Sequence, residues 1–266
     1  MSNKVIGECN ICGHTAQLTE DHVPPQCCSN TGNVKYYALF DRNFQPTKKP
    51  RQAQNGIKFK TICSKCNSER LGQELDPFLG EMQNDVINMV SSFTTITDEG
   101  MINIYINKIS RCVIGHMLAA MPHYINASLE NSLREYFHDK KMRSVEGQHL
   151  YVWLNFEKRV AIARNVGIAI DADFDGSIIS LLKFPGVAFM LCTKQIDDNM
   201  IDLFDYATDD IEDKVSIPIS MRSIISKRGE LKTTEWPLIE NDSRIFVLSQ
   251  KRKLMPVFSI FLDIQG

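Results

Sequence analysis

The sequence predicts an α+β protein in two parts, a small cysteine-framed module over residues 1–75 and a larger α+β part over 76–266. Three observations predict it. Two C-x2-C pairs frame the first part; apolar residues recur at three- and four-residue spacing between about 76 and 143; and from about 149 to 262 the period shortens to that of strands. Helices followed by strands, and not alternating with them, argue for a mostly antiparallel sheet. At 266 residues, 43% hydrophobic and 23% charged, the chain can bury a sizeable core. The same figures exclude collagenous, coiled-coil and wholly disordered classes.

The charge is nearly balanced, with 30 Lys+Arg against 32 Asp+Glu, so nothing global points to a polyanionic partner. Met1-Ser2-Asn3-Lys4 runs into a polar segment without the apolar stretch of a cleavable leader. Cys112 to Leu129 lacks Lys, Arg, Asp and Glu and nearly reaches the length of a membrane span. It holds His116, Pro122, His123 and Asn126, and therefore reads as a buried helix and its exit. The expectation is a soluble, cytoplasmic protein with no membrane partner.

In the first part the cysteine spacing matters more than the count. Cys9-Asn10-Ile11-Cys12 and Cys63-Ser64-Lys65-Cys66 each place two sulfurs on one tight turn. Two such turns make a closed four-sulfur tetrahedron, which suits structural zinc. Gly13 fits the chain reversal that follows the first pair. Of the remaining cysteines, adjacent Cys27 and Cys28 cannot chelate in the same way, and Cys112 and Cys192 lie in apolar stretches and read as packing. Between the pairs stands Leu18-Thr19-Glu20-Asp21-His22-Val23-Pro24-Pro25. A carboxylate can hold a hard divalent cation while the neighbouring imidazole takes a proton from water near neutral pH. Asn67, directly after Cys66, offers a further oxygen ligand, and the zinc would carry it to the strand of Asp21 and His22.

Cys9-x2-Cys12, Asp21-His22 and Cys63-x2-Cys66-Asn67 together resemble the zinc-stapled HNH endonucleases of the ββα-metal fold, over roughly residues 5 to 75. The resemblance implies that His22 is the general base activating water against a phosphodiester. It implies that Asp21 and Asn67 coordinate Mg2+ or Mn2+, and that the products carry a 5′-phosphate and a 3′-hydroxyl. It implies DNA as the substrate and a setting such as bacterial defence. The family's middle Asn position, about five residues before the second pair, holds Lys58 here; Asn55-Gly56 lies three residues earlier, so the middle Asn is unassigned. Gln45 to Asn55 reads as an insertion or substrate loop. Two other readings stand beside this one: a non-catalytic zinc knuckle binding nucleic acid or protein, and a regulated ribonuclease.

Local charge favours a phosphate partner. Residues 1–75 hold ten Lys+Arg against six Asp+Glu. Lys48, Lys49, Arg51, Lys58, Lys60, Lys65 and Arg70 are the candidate phosphate contacts.

Beyond residue 75, Leu75, Phe78, Leu79, Met82, Val86, Ile87 and Val90 predict a first helix, Lys108 to Met121 a second, and about Ala127 to Lys140 a third. Gly115, Ala119 and Ala120 would let the second helix approach a neighbour closely, and His116 reads as a core histidine. Leu150–Phe156 and Val160–Ile170 read as a hairpin across Glu157-Lys158. Further strands are expected at Ser177–Leu182, Val187–Thr193, Val215–Ser220, Arg244–Ser249 and Val257–Leu262. Asp171-x-Asp173-x-Asp175-Gly176 begins like a calcium loop but has Leu182 at its twelfth position, so it reads as a turn. The acidic run Asp197 to Asp213 reads as a solvated face or loop. This second part is the expected place for a regulatory protein partner or self-association.

Overall fold

The computed structural model describes residues 4–38, 51–92, 99–155, 160–169, 176–195, 201–220 and 260–263. Helix and sheet are mixed as an α+β arrangement requires. Strand β1 (Val5–Glu8) turns back into β2 (Thr15–His22), which pairs antiparallel with β5 (Lys58–Cys63) to give a three-stranded sheet of order β1-β2-β5. A π-helical stretch, Lys65–Gln73, follows β5 at once and leads into α1 (Asp76–Ser92). The β1–β2 turn carries the first cysteine pair and the junction of β5 with the helical stretch carries the second.

The segment between β2 and β5 does more than form a loop. Here β3 (Val34–Ala38) and β4 (Arg51–Ala53) pair with each other, and β3 also pairs with the distant β13 (Ile260–Asp263). They extend an eight-stranded sheet that also contains β7 (His149–Asn155), β8 (Val160–Ala169), β9 (Gly176–Phe184), β10 (Gly186–Cys192) and β11 (Ile201–Asp202). Part of the expected insertion loop, Arg51 to Ala53, is thus a strand. A two-stranded ribbon joins β6 (Glu99–Ile104) to β12 (Val215–Ser220).

The period-2 pattern from residue 149 produces strands as expected, but one pairing differs. The sheet order is β11-β7-β10-β9-β8-β13-β3-β4, so β7 and β8 are not neighbours; β7 pairs with β10, and β8 with β9. Glu157-Lys158 lacks the Gly, Asn or Asp that a two-residue hairpin needs. Pro185-Gly186 supplies it: Gly186 has φ +95°, and Phe184 pairs with Val187 across the turn. Both faces of this part of the sheet are buried. Leu150, Val152, Leu154, Val187, Phe189 and Leu191 face the helices, while Tyr151, Trp153, Ala188, Met190 and Cys192 form a separate cluster on the other side.

The three predicted helices are α1, α2 (Ile106–Ala119) and α3 (Ser128–His138). Every residue of α2 is buried, because α1, α3, β5 and β9 surround it. Gly115 lies where a Cβ would meet Phe137 at 2.6 Å and Leu71 at 2.7 Å, so a side chain there would force α2 off its neighbours. Among the described residues no helix is long and apolar enough to cross a membrane. One apolar core runs from Cys9 and Leu18 through Leu79, Val113 and Phe137 to Phe189 and Ile219, across residue 75 without a break.

Within the acidic run, Asp202 turns inward and caps the short turn Leu203–Tyr206; its carboxylate accepts from the Phe204 and Leu150 amides at 3.1 and 3.0 Å. The Asp171–Asp175 turn and the strand expected at Arg244–Ser249 lie outside the described residues.

Candidate functional site

The first cysteine pair sits in the loop between β1 and β2, and the second where β5 passes into the helix. The loop closes on itself: the Cys9 amide donates to the His14 carbonyl at 3.0 Å, the Gly13 amide to the Cys9 carbonyl at 2.8 Å, and Gly13 takes φ +72°. The Cys63 amide donates to the Cys9 sulfur at 3.3 Å. All four sulfurs lie within 4.8 Å of one another. A zinc ion with Zn–S bonds of about 2.3 Å requires S···S edges of about 3.8 Å. Cys12 and Cys63 are 3.8 Å apart. The four residues can therefore hold a structural zinc. Crowding drives the acidities of these thiols apart: bonding to Cys66 brings Cys9 down to about 4, burial pushes Cys12 up to about 11, and the bond to Cys9 raises Cys66 far above the usual thiol range.

The knuckle is fastened to the helices. Asn10, buried between the first two cysteines, donates to the Leu118 and Met121 carbonyls at 3.2 and 2.7 Å. It thereby gives the Met121 carbonyl a partner just past α2 and adds a second bond to the Leu118 carbonyl, which also accepts from the Met121 amide at 3.2 Å. The Asn10 carbonyl in turn accepts from Arg134 of α3 at 2.8 Å.

This anchoring brings Asn67 to β2, as the spacing predicts. Its amide donates to Thr19 Oγ1 at 3.0 Å and to the Glu20 carbonyl at 2.9 Å. The β2–β5 ladder shifts register at that point, between Thr19 and Glu20. With both amide hydrogens committed to β2, Asn67 has its carbonyl oxygen left to offer.

His22 ends β2 half-buried, its Nε2 lying 2.9 Å from the Asn55 carbonyl. A carbonyl only accepts, so Nε2 is the donor in this contact, which leaves Nδ1 as the ring position able to accept. Asn55, at φ +57°, stands three positions before Lys58 and acts through its backbone. Asn30, which the sequence does not single out, clamps the same loop. Its buried amide donates to the Pro24 and Ile57 carbonyls at 2.6 and 3.0 Å and accepts from the Ile57 amide at 2.8 Å.

Asp21 turns the other way, as alternation along a strand requires. It is 3% exposed, and its Oδ2 lies 3.3 Å from Nδ1 of His116. His116 Nε2 lies 2.8 Å from Oδ1 of Asp76, and the Cys112 thiol donates to that same oxygen at 3.4 Å. Burial pushes the Asp21 carboxyl up, with His116 opposing it. Burial likewise works against charge on His116, but Asp76 and Asp21 outweigh it and hold the imidazole well above its ordinary value. Burial, then Asp76, raises the Cys112 thiol. Asp21, His22 and Asn67 are thus neighbours along the chain path whose polar ends have three different sets of partners.

Comparison with family models, curated proteins and solved structures finds no match. The site's reading rests on its own geometry.

Of the candidate phosphate contacts, Lys65 and Arg70 line a cavity of about 500 Å³ beside Cys12 and Cys66, together with His14, His138 and Lys140. Arg70 also pairs with Glu74 and lies over the Phe137 ring. Lys58 pairs with Glu20 at 3.5 Å, and Lys60 lies on β5. Arg51 begins β4, and Lys48 and Lys49 lie outside the described residues.

Proposed function

We propose that the β2–β5–helix unit is a metal-dependent phosphodiester hydrolase of the HNH type, acting on nucleic acid and on DNA first. One observation carries this reading: His22 ends β2 with Nε2–H held by the Asn55 carbonyl, an arrangement that would assign Nδ1 the task of taking a proton from water. The basic cavity at the knuckle, with Lys65, Arg70 and Lys140, supports a phosphate-bearing partner. His22 is on the Lys58 end of the β2–β5 ladder and the knuckle on the Cys63 end, four residues of β2 or about 13 Å away, a separation a nucleic-acid backbone spans in two or three phosphates.

The Mg2+ or Mn2+ expected at Asp21 and Asn67 fits the residues only in part. Asn67 offers an oxygen beside β2, but Asp21 faces His116 on the buried side. Asn67 alone of the two would face such an ion beside β2, so the proposed activity rests on His22. A bacterial defence role, with a protein partner or a second copy engaging 76–266, belongs to the same proposal.

Asp21's burial favours a second reading, a non-catalytic zinc-stapled module that binds nucleic acid. Plasmid DNA and a structured RNA, each incubated with purified protein and Mg2+ or Mn2+, separate the two. Cleavage that disappears with EDTA and with a His22→Ala variant of unchanged zinc content supports the hydrolase; RNA as the better substrate would make it a ribonuclease. Cleavage surviving His22→Ala sinks the assignment of the base. Binding of either polymer without cleavage points to the second reading.

A further inference from the structure

The sequence reads His116 as a core histidine and Cys112 as packing; the structure puts both into a buried cluster with two carboxylates. We infer that Asp76, Cys112 and His116 form a second, buried zinc site, distinct from the Cys9/Cys12/Cys63/Cys66 knuckle, with Asp21 as the outer carboxylate that orients its histidine.

The ligand atoms are already gathered. Asp76 Oδ1, Cys112 Sγ and His116 Nε2 all lie within 4.8 Å of one another. Cys112 and His116 are four residues apart on α2 and so share one face of the helix, while Asp76 enters from the start of α1. A tetrahedral ion with bonds of about 2.0 Å to N and O and 2.3 Å to S needs ligand–ligand edges of about 3.3 to 3.5 Å. The observed separations are 3.4 Å from sulfur to oxygen and 2.8 Å from nitrogen to oxygen. The second must open by about half an ångström, which a side-chain rotation supplies.

The outer partner is the more specific sign. A metal-bound histidine donates its other ring N–H to a carboxylate or carbonyl, which fixes the tautomer and aims the ligating nitrogen. Asp21 Oδ2 stands 3.3 Å from Nδ1 and leaves Nε2 facing Asp76 and Cys112. The chemistry of the assembled groups suits zinc. Two carboxylates meet a single imidazole here, with the imidazole fully buried and Asp21 nearly so. The further groups arriving are thiols: Cys27 donates to the Asp76 carbonyl at 3.2 Å, and Cys28 is buried beside it. An imidazolium balances one carboxylate; a zinc ion bound in exchange for two protons leaves that net charge unchanged, and a thiolate among the ligands selects zinc over magnesium or calcium. Binding displaces the Cys112 thiol proton and the proton shared by His116 and Asp76 to solvent.

Such an ion would join α1, α2 and, through Asp21, the strand that carries His22. It goes beyond the hydrolase reading and does not depend on it, since the test counts metal and not cleavage.

The unaltered full chain, purified with zinc and freed of loose metal, is measured by native mass spectrometry and elemental analysis. Two zinc ions per chain are expected, and a single zinc overturns the inference. X-ray absorption at the zinc edge on the same sample should give fewer than four sulfurs per zinc on average together with nitrogen or oxygen ligands; four sulfurs alone also overturns it. The double variant Cys112→Ser/His116→Gln should retain one zinc, all-sulfur in its coordination, half the parent's content. Retention of two would place the second ion elsewhere and end the proposal. Because the first two measurements use the parent protein, they decide the matter even where the variant fails to fold.

Discussion

The cysteine knuckle and the His116 cluster are made from similar side chains and are brought together by opposite means. In the knuckle, each C-x2-C pair is local: a turn or the first turn of a helix aims two sulfurs at one point, and a single strand pairing, β2 with β5, joins the two halves. The His116 cluster draws on β2, the start of α1 and the last turn of α2, so Asp21, Asp76 and His116 are 55 and 40 residues apart along the chain and meet only after α2 is enclosed. The knuckle is an organising centre that a metal can impose on a small unit; the cluster is a product of the packed core. The two should therefore respond differently to substitution.

The largest effect is expected from taking the knuckle apart. Structural zinc in small modules contributes on the order of 10 kcal/mol at neutral pH, comparable with the whole stability of a domain. Cys63→Ser, or a strong chelator, should abolish zinc binding at the knuckle and lower the melting temperature sharply, with loss of the β1–β2–β5 signal in hydrogen exchange. An unchanged melting curve after verified removal of that zinc would erase the contrast.

Second comes His116→Leu, which leaves Asp21 and Asp76 facing each other in the core. Removing one partner from a buried ionic set should cost about 3–5 kcal/mol in urea unfolding. Adding Asp21→Asn and Asp76→Asn should recover part of it, because the penalty is the charge left behind. A loss below about 1 kcal/mol would mean that the cluster is not a packed unit.

Asn30→Ala follows. Its amide holds Pro24 and Ile57 through three bonds with donors and acceptors that water cannot reach, so about 1–3 kcal/mol should be lost. Faster exchange at the Ile57 amide would locate the loss in the loop behind His22. The smallest effect on stability, within about 0.5 kcal/mol, is expected from Lys65→Ala at the exposed cavity rim. If that rim meets nucleic-acid phosphate, the same variant should lower the slope of log affinity against log salt by about one. An unchanged slope would remove Lys65 from the interface.

The helices are legible in the sequence because α1, α2 and α3 each carry apolar residues at helical spacing, which is local information. The strands are legible for the same reason, yet the sequence pairs β7 with β8 and the structure does not. Register and neighbour depend on turn chemistry and on what else competes for an edge, and Pro185-Gly186 directs β10 into the place expected for β8. The hairpin β3–β4 is hidden because its partner, β13, lies more than two hundred residues further on.

By itself the sequence determined the α+β class, the four-sulfur knuckle and the arrival of Asn67 beside β2, since each follows from spacings of a few residues. Only the tertiary structure decided which way Asp21 faces, what holds His22, and that His116 and Cys112 share a pocket with Asp76. Those outcomes depend on how α2 is buried between the knuckle and the large sheet. Burial is a property of the assembled core: a single substitution of His116 alters the surroundings of residues 40 and 95 positions away.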